Sequence, residues 1–140
     1  MSCLVVFEGI EHPLQYLTAL YQFIRGRRHY DTVHAVLYLR LDSWVRIELT
    51  WDGLRFDHAY EVEETYIKYA HYLPEVPGAA LRAYNVLQLA DVIGTRFRYS
   101  HANTLNQLLG KPAWFNCSSL ISYILYGTMI DEPAVLRENL

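Results

Sequence analysis

Cysteine is scarce in this chain: two in 140 residues, Cys3 and Cys117. So few thiols so far apart exclude a disulfide framework and fit a reducing compartment. Long apolar runs are missing as well, and nothing approaches the roughly 18 continuous apolar residues of a membrane span. The first ten residues carry no basic start and do not read as a signal peptide, so a cytoplasmic location is expected. There is no excess of positive charge: 12 Lys and Arg face 15 Asp and Glu, net −3, with a pI near 6.0. A nucleic-acid partner held by bulk charge is therefore not expected. No repeat, low-complexity tract or linker divides the sequence, which reads as one domain over 1–140 with a tail at 128–140.

Several chemistries lack their motifs. No glycine-rich phosphate loop occurs, and Gly-x-Ser-x-Gly is absent. His12, His29, His58, His71 and His101 lack the i,i+4 pairing or Cys neighbours of a zinc site, so neither metal nor cofactor is expected. What the chain does have is apolar material: 52% hydrophobic residues against 19% charged, enough to bury a core.

The patterning predicts a short buried strand at 3–7, ending at Gly9. A helix is expected from Pro13 to Gly26, with Leu14, Leu17, Tyr21 and Ile24 at helical spacing. From 31 to 41 the period becomes two. Val33, Ala35, Leu37, Leu39 and Leu41 share one face; His34, Val36, Tyr38 and Arg40 share the other. Strands follow at 45–51 and 54–60, with Asp52-Gly53 as the turn between them. Residues 63–72 read as helical, with Tyr66, Tyr69 and Tyr72 at three-residue steps. Helices are further expected at 79–93 closed by Gly94, at 100–109 closed by Gly110 and Pro112, and from Asn116 or Cys117 to Gly127. The order β-α-β-β-β-α-α-α predicts an α+β fold: a small antiparallel sheet, a meander, packed with helices.

Three residues carry candidate chemistry. Cys117 opens an apolar helix behind Asn116, a good N-cap. Free backbone N–H groups and the helix dipole favour a thiolate there. A thiol nucleophile needs a base, and His34 on its strand is the candidate. Glu48, on the next strand, is placed to orient the imidazole and hold its tautomer. Taken alone, each also fits a plainer role: Cys117 as a small core residue, His34 as a half-buried strand histidine, Glu48 as a solvent-facing partner of Arg46 or Arg40. Parity decides whether the last two meet. A two-residue hairpin at Asp42-Ser43 would turn Glu48 away from His34; an odd loop or a bulge would bring them to one face.

A His strand, a polar residue on the following strand and a Cys opening a late helix resemble the circularly permuted branch of the NlpC-type papain-like superfamily. Residues 30–39, Tyr-Asp-Thr-Val-His-Ala-Val-Leu-Tyr-Leu, are similar to its His strand; Val45-Arg46-Ile47-Glu48-Leu49 is similar to the strand that follows; Asn116-Cys117-Ser118-Ser119-Leu120-Ile121 is similar to its Cys helix. The stretch ending in Tyr126-Gly127 also resembles the Asn-Cys motif of the lecithin:retinol acyltransferase-like group. That group has an acidic residue and a His where this chain has Ser118 and Ser119. The glycine usual after the His strand is replaced here by Arg40-Leu41-Asp42. The resemblance implies a permuted papain-like fold and a thiol hydrolase or acyl transferase. Its nucleophile would be Cys117, its base His34 and its orienting group Glu48. Substrates would be peptide or amide bonds, cell-wall stems included, with acyl esters second. The competing class is a non-catalytic interaction protein on the same fold, such as a component carried in a viral particle. The Tyr-rich stretch 60–84 and the charged tail would then serve contacts.

Overall fold

The computed structural model describes residues 1–50, 53–93 and 116–140. The strands are β1 (Cys3–Glu8), β2 (His34–Arg40), β3 (Trp44–Thr50), β4 (Gly53–Ala59) and β5 (Ile67–Leu73). The helices are α1 (Gln15–Ile24), α2 (Ala79–Ile93), α3 (Cys117–Tyr126) and α4 (Pro133–Glu138). All strand pairs are antiparallel, in the order β4-β3-β2-β1-β5. The molecule is thus an α+β protein built on one five-stranded sheet. The predicted stop at Gly94, the predicted helix at 100–109, and Trp51 and Asp52 of the predicted turn lie outside the described residues.

β1 lies between two strands and is buried along nearly its whole length, as its apolar run requires. One face of the sheet carries Val5, Phe7, Ala35, Leu37, Ile47 and Leu49. These pack in one cluster with Leu120, Ile121 and Ile124 of α3 and with Ala79, Ala83 and Val86 of α2. Leu37 and Leu120 are both 0% exposed, and burying such a side chain stabilises the fold by roughly 1.5–3 kcal/mol. Apolar packing of this kind seats α3 across β2 and β3. The opposite face carries a smaller cluster, Val6, Val36, Tyr38 and Ala59, with Leu4 and Trp44 against it.

Two expectations are corrected. Residues 63–72 are not a helix: 67–73 form β5, an edge strand paired to β1. The free edge of β1 needs a partner, and this pairing overrides the three-residue spacing of the tyrosines. Tyr69 thereby stacks on Phe7, ring centroids 6.1 Å apart. α1 forms as expected, but with the opposite face inward. It buries Thr18, Ala19 and Gln22 and exposes Leu14, Tyr16, Leu17, Leu20, Phe23 and Ile24. The Gln22 amide accounts for this inversion, since burial requires its polar atoms to be satisfied. Its Nε2 donates to the carbonyls of Tyr30 and Thr32, both at 2.8 Å, and its Oε1 accepts from Ala134 N at 2.8 Å. The charged tail carries a helix that the patterning did not predict. α4 buries Pro133, Ala134 and Leu136, and Glu132 accepts two hydrogen bonds from Arg27, at 3.0 and 2.8 Å.

Candidate active site

Asn116 fixes where α3 begins. Its extended backbone cannot continue a helix, and its Oδ1 accepts from Ser119 N at 2.9 Å. Ser119 Oγ accepts from Asn116 N at 2.8 Å, completing a reciprocal cap. A third bond, Asn116 Nδ2 to Asp131 O at 2.6 Å, anchors the cap to the segment before α4. Cys117 is therefore the first residue of the helix, at the positive end of its dipole. Ser119 N–H is capped and Leu120 N–H donates to Asn116 O at 3.1 Å. Among the described residues, no hydrogen bond occupies the N–H of Cys117 or Ser118. Gly127, with φ of 74°, ends the helix in the left-handed conformation that glycine adopts without strain.

The β2–β3 connection settles the parity question. Arg40 pairs with Trp44, leaving Leu41, Asp42 and Ser43 as a three-residue loop. Leu37 pairs with Ile47, and continuing that register sets Glu48 opposite Val36, two residues from His34 on the same face. His34 Nε2 lies 3.4 Å from Glu48 Oε2, and the two side chains are 13% and 7% exposed. His34 also hydrogen-bonds the Cys117 thiol. Cys117 belongs to the cluster on the leucine face, whereas Glu48 lies on the other. The ring, on the first residue of β2, thus bridges a sulfur on one side of the sheet and a carboxylate on the other. With Nε2 turned to Glu48, Nδ1 is the nitrogen left for sulfur. Burial alone would depress His34; negative charge on the Cys117 sulfur, the hydrogen bond to it and Glu48 together raise it well above its ordinary value.

Behind Glu48 runs a second tier, of which the sequence reading named only Arg46 as a partner. Arg46 Nη2 donates to Glu48 Oε2 at 2.6 Å. Arg46 also grips Glu64 through Nε at 2.5 Å and Nη2 at 3.0 Å, while Tyr38 Oη donates to Glu64 Oε1 at 2.5 Å. Burial would raise the Glu64 carboxyl, but the bonds from Arg46 and Tyr38 outweigh it and hold it below the usual range. Arg46 was weighed from the sequence as a partner of Glu48, two residues before it on the same strand face, and the pair forms, though buried and not facing solvent. Glu64 could not be singled out: it stands in an acidic stretch, Glu61-Val62-Glu63-Glu64, that looks solvated. Glu8 was legible only as a carboxylate closing a buried strand.

A cleft of about 410 Å³ opens on the Glu48 side of the ring, lined by Glu8, His12, His34, Arg46, Glu48 and Glu64 among others. Cys117 is 1% exposed and is not among those lining residues. One donor atom each from Glu8, His34 and Glu48 lie within 4.8 Å of one another. Arg46 Nη2 brings a positive charge to this group through Glu48 Oε2.

The arrangement provides a thiol at a helix N-terminus, a base bonded to it, and a carboxylate that holds the base. No protein-family model matches the chain, and neither a curated protein nor a solved structure matches it.

Proposed function

We propose that this chain is a thiol-dependent hydrolase or acyl transferase acting on amide or ester carbonyls, on a permuted papain-like fold. The observation that carries the reading is the His34 imidazole, held between the Cys117 thiol and the Glu48 carboxylate. In this chemistry Cys117 Sγ attacks the carbonyl carbon and His34 accepts the thiol proton. The same imidazolium then protonates the leaving amine or alcohol as the acyl-enzyme forms. Water, or an acceptor nucleophile, releases the acyl group with His34 again as base. Glu48 keeps Nε2 protonated and Nδ1 turned to sulfur. The N–H groups of Cys117 and Ser118 serve the oxyanion. Peptide and cell-wall amides are the first substrate class to assay, with short acyl esters second.

The outward apolar face of α1 favours a second reading, a protein that works by contact and retains the fold without turnover. One experiment separates the two. Peptidoglycan fragments, small peptide amides and short-chain acyl esters are presented in parallel to wild type and to Cys117→Ala. Turnover of any of them that vanishes in the variant supports the enzyme. No turnover by wild type, with Cys117→Ala supporting every biological role of the parent, rejects it.

A further inference from the structure

His34 faces a second carboxyl. Glu8 is its direct partner across β1 and β2, and their side-chain donor atoms lie within the same 4.8 Å as that of Glu48. The pairing of β1 with β5 slips between Phe7 and Glu8, where Phe7 pairs with Tyr69 and Glu8 with Ile67. Such a bulge re-aims the side chain at its position and is a common device beside functional sites. Here it falls on the residue opposite the proposed base.

Glu8 is 5% exposed, and among the described residues no Lys or Arg salt bridge to it is formed. From β2 it meets His34; from β3, Glu48 and Arg46, which is already bound to Glu48 and Glu64; from the β4–β5 connection, Glu64. On β5, Lys68 is turned to Asp31, with Nζ 3.3 Å from Oδ2. Glu11 and His12 line the same cleft farther out. Glu8 and Glu64 are hydrogen-bonded to each other, and two carboxyls form such a bond only by holding a proton between them. Glu64 is the one tied to Arg46 and Tyr38, so the proton resides on Glu8.

We propose that Glu8 is a positioning residue that regulates the Cys117–His34 pair: neutral, it donates to Glu64 and leaves His34 to Glu48; ionised, it turns its charge on the imidazole and locks it as imidazolium. The inference rests on the thiol reading for its consequence in turnover, but not for its effect on the ring. Burial moves the Glu8 carboxyl up to about 7, against the pull of His34 and with Glu64 and Glu48 adding to the rise. The exchange therefore falls in the neutral range. Coupling between two titrating sites is reciprocal, so an ionised Glu8 raises His34 as much as a charged His34 lowers Glu8.

The test is an NMR titration of the His34 ring resonances in the full chain, for wild type and Glu8→Gln, which needs no substrate. Wild type should show an inflection near neutrality, before the ring itself deprotonates. Glu8→Gln should lose that inflection, and its ring should deprotonate roughly one pH unit lower. The alkaline limb of the kcat/KM profile should move by the same amount. Glu8→Asp, which keeps an ionisable group one methylene farther away, should retain the inflection with a smaller displacement; it also serves if Glu8→Gln fails to fold. Identical ring titrations in wild type and Glu8→Gln, or equal displacements in wild type and Glu8→Asp, would overturn the proposal. A ring that responds in a protein that turns over nothing would sink the enzyme reading and leave the Glu8–His34 coupling standing.

Discussion

Cys3 and Cys117 are buried alike, 0% and 1% exposed, and belong to one apolar cluster. Their polar surroundings differ completely. Cys3 lies in mid-sheet, paired across with Leu39 and Leu73. Burial pushes its thiol up to about 11, against the pull of the N-terminus and Arg82. Cys117 opens a helix and bonds an imidazole that is itself braced by a carboxylate. Burial therefore does not tell the two thiols apart. A helix N-terminus and a partnered base do, and both are properties of the fold around the residue.

The widest gap between the two should be in turnover. Cys117→Ala removes one sulfur from a capped helix start, and Asn116 and Ser119 still hold the cap. Its thermal midpoint should stay within a few degrees of wild type, while kcat/KM falls by at least about 10³-fold, the cost of losing a nucleophile. Cys3→Ala should retain kcat/KM within about twofold and lose roughly 1 kcal/mol of stability. Loss of turnover in both variants would point to general disruption and erase the distinction.

Reactivity sharpens the comparison next. Iodoacetamide should label Cys117 in the native protein near neutrality roughly tenfold or more faster than Cys3, because the thiolate is the nucleophile. Peptide mapping of the labelled protein reads this directly. If Cys117 reacts only after unfolding, its 1% exposure describes a core residue and the site is closed to substrate.

Alkaline stability isolates Cys3. Its folded thiol holds its proton up to about 11, whereas the unfolded thiol releases it near 9.0. The folded state thus binds more protons between those values, and stability falls as pH rises through that window. The shift corresponds to about 3 kcal/mol at full expression. Urea unfolding at pH 8 and pH 10 should show a steeper decline in wild type than in Cys3→Ala. Parallel declines would mean that the Cys3 environment relaxes and accepts the charge.

Much of this contrast was legible in the sequence, but unevenly. The alternation from Val33 to Leu41 specified β2 and its two faces, and Asn116 and Gly127 marked both ends of α3, because caps and period are local signals. His34, Glu48 and Cys117 were singled out for their residue types and positions, and the structure brings them together. What joins them is not local: a three-residue loop sets the β2–β3 register, and packing on the leucine face seats α3. The failures share that cause. β5 is a strand because the edge of β1 needs a partner, Leu73 for Cys3 and Ile67 for Glu8, that is far away in sequence, and α1 turns its apolar face outward because Gln22 is bonded to Ala134, 112 residues on. Glu8, Arg46 and Glu64 converge from separate elements, and no window of sequence holds all of them.

The smallest effect concerns the third member of the site. Glu48→Gln keeps a side chain of the same shape, and its amide oxygen still accepts from Arg46. It removes the negative charge facing His34 Nε2. Arg46 remains paired with Glu64, so no charge is stranded and the fold should survive. The imidazole then loses one of the groups that raise it, while Cys117 remains. Two consequences follow. kcat should fall roughly 10–100-fold with KM little changed, about 1.4–2.7 kcal/mol of transition-state stabilisation, because an orienting group acts through the base and not on substrate. The alkaline limb of the pH profile should also move to lower pH, since less negative charge holds the proton on His34. A raised histidine stabilises the fold below its unfolded value of about 6.5 and loses that contribution as pH rises through the folded value, so the variant should also be less stable than wild type at pH 6 and closer to it at high pH. A variant as inactive as Cys117→Ala would make Glu48 part of the reacting pair, and one with unchanged kcat and an unmoved limb would reduce it to a partner of Arg46.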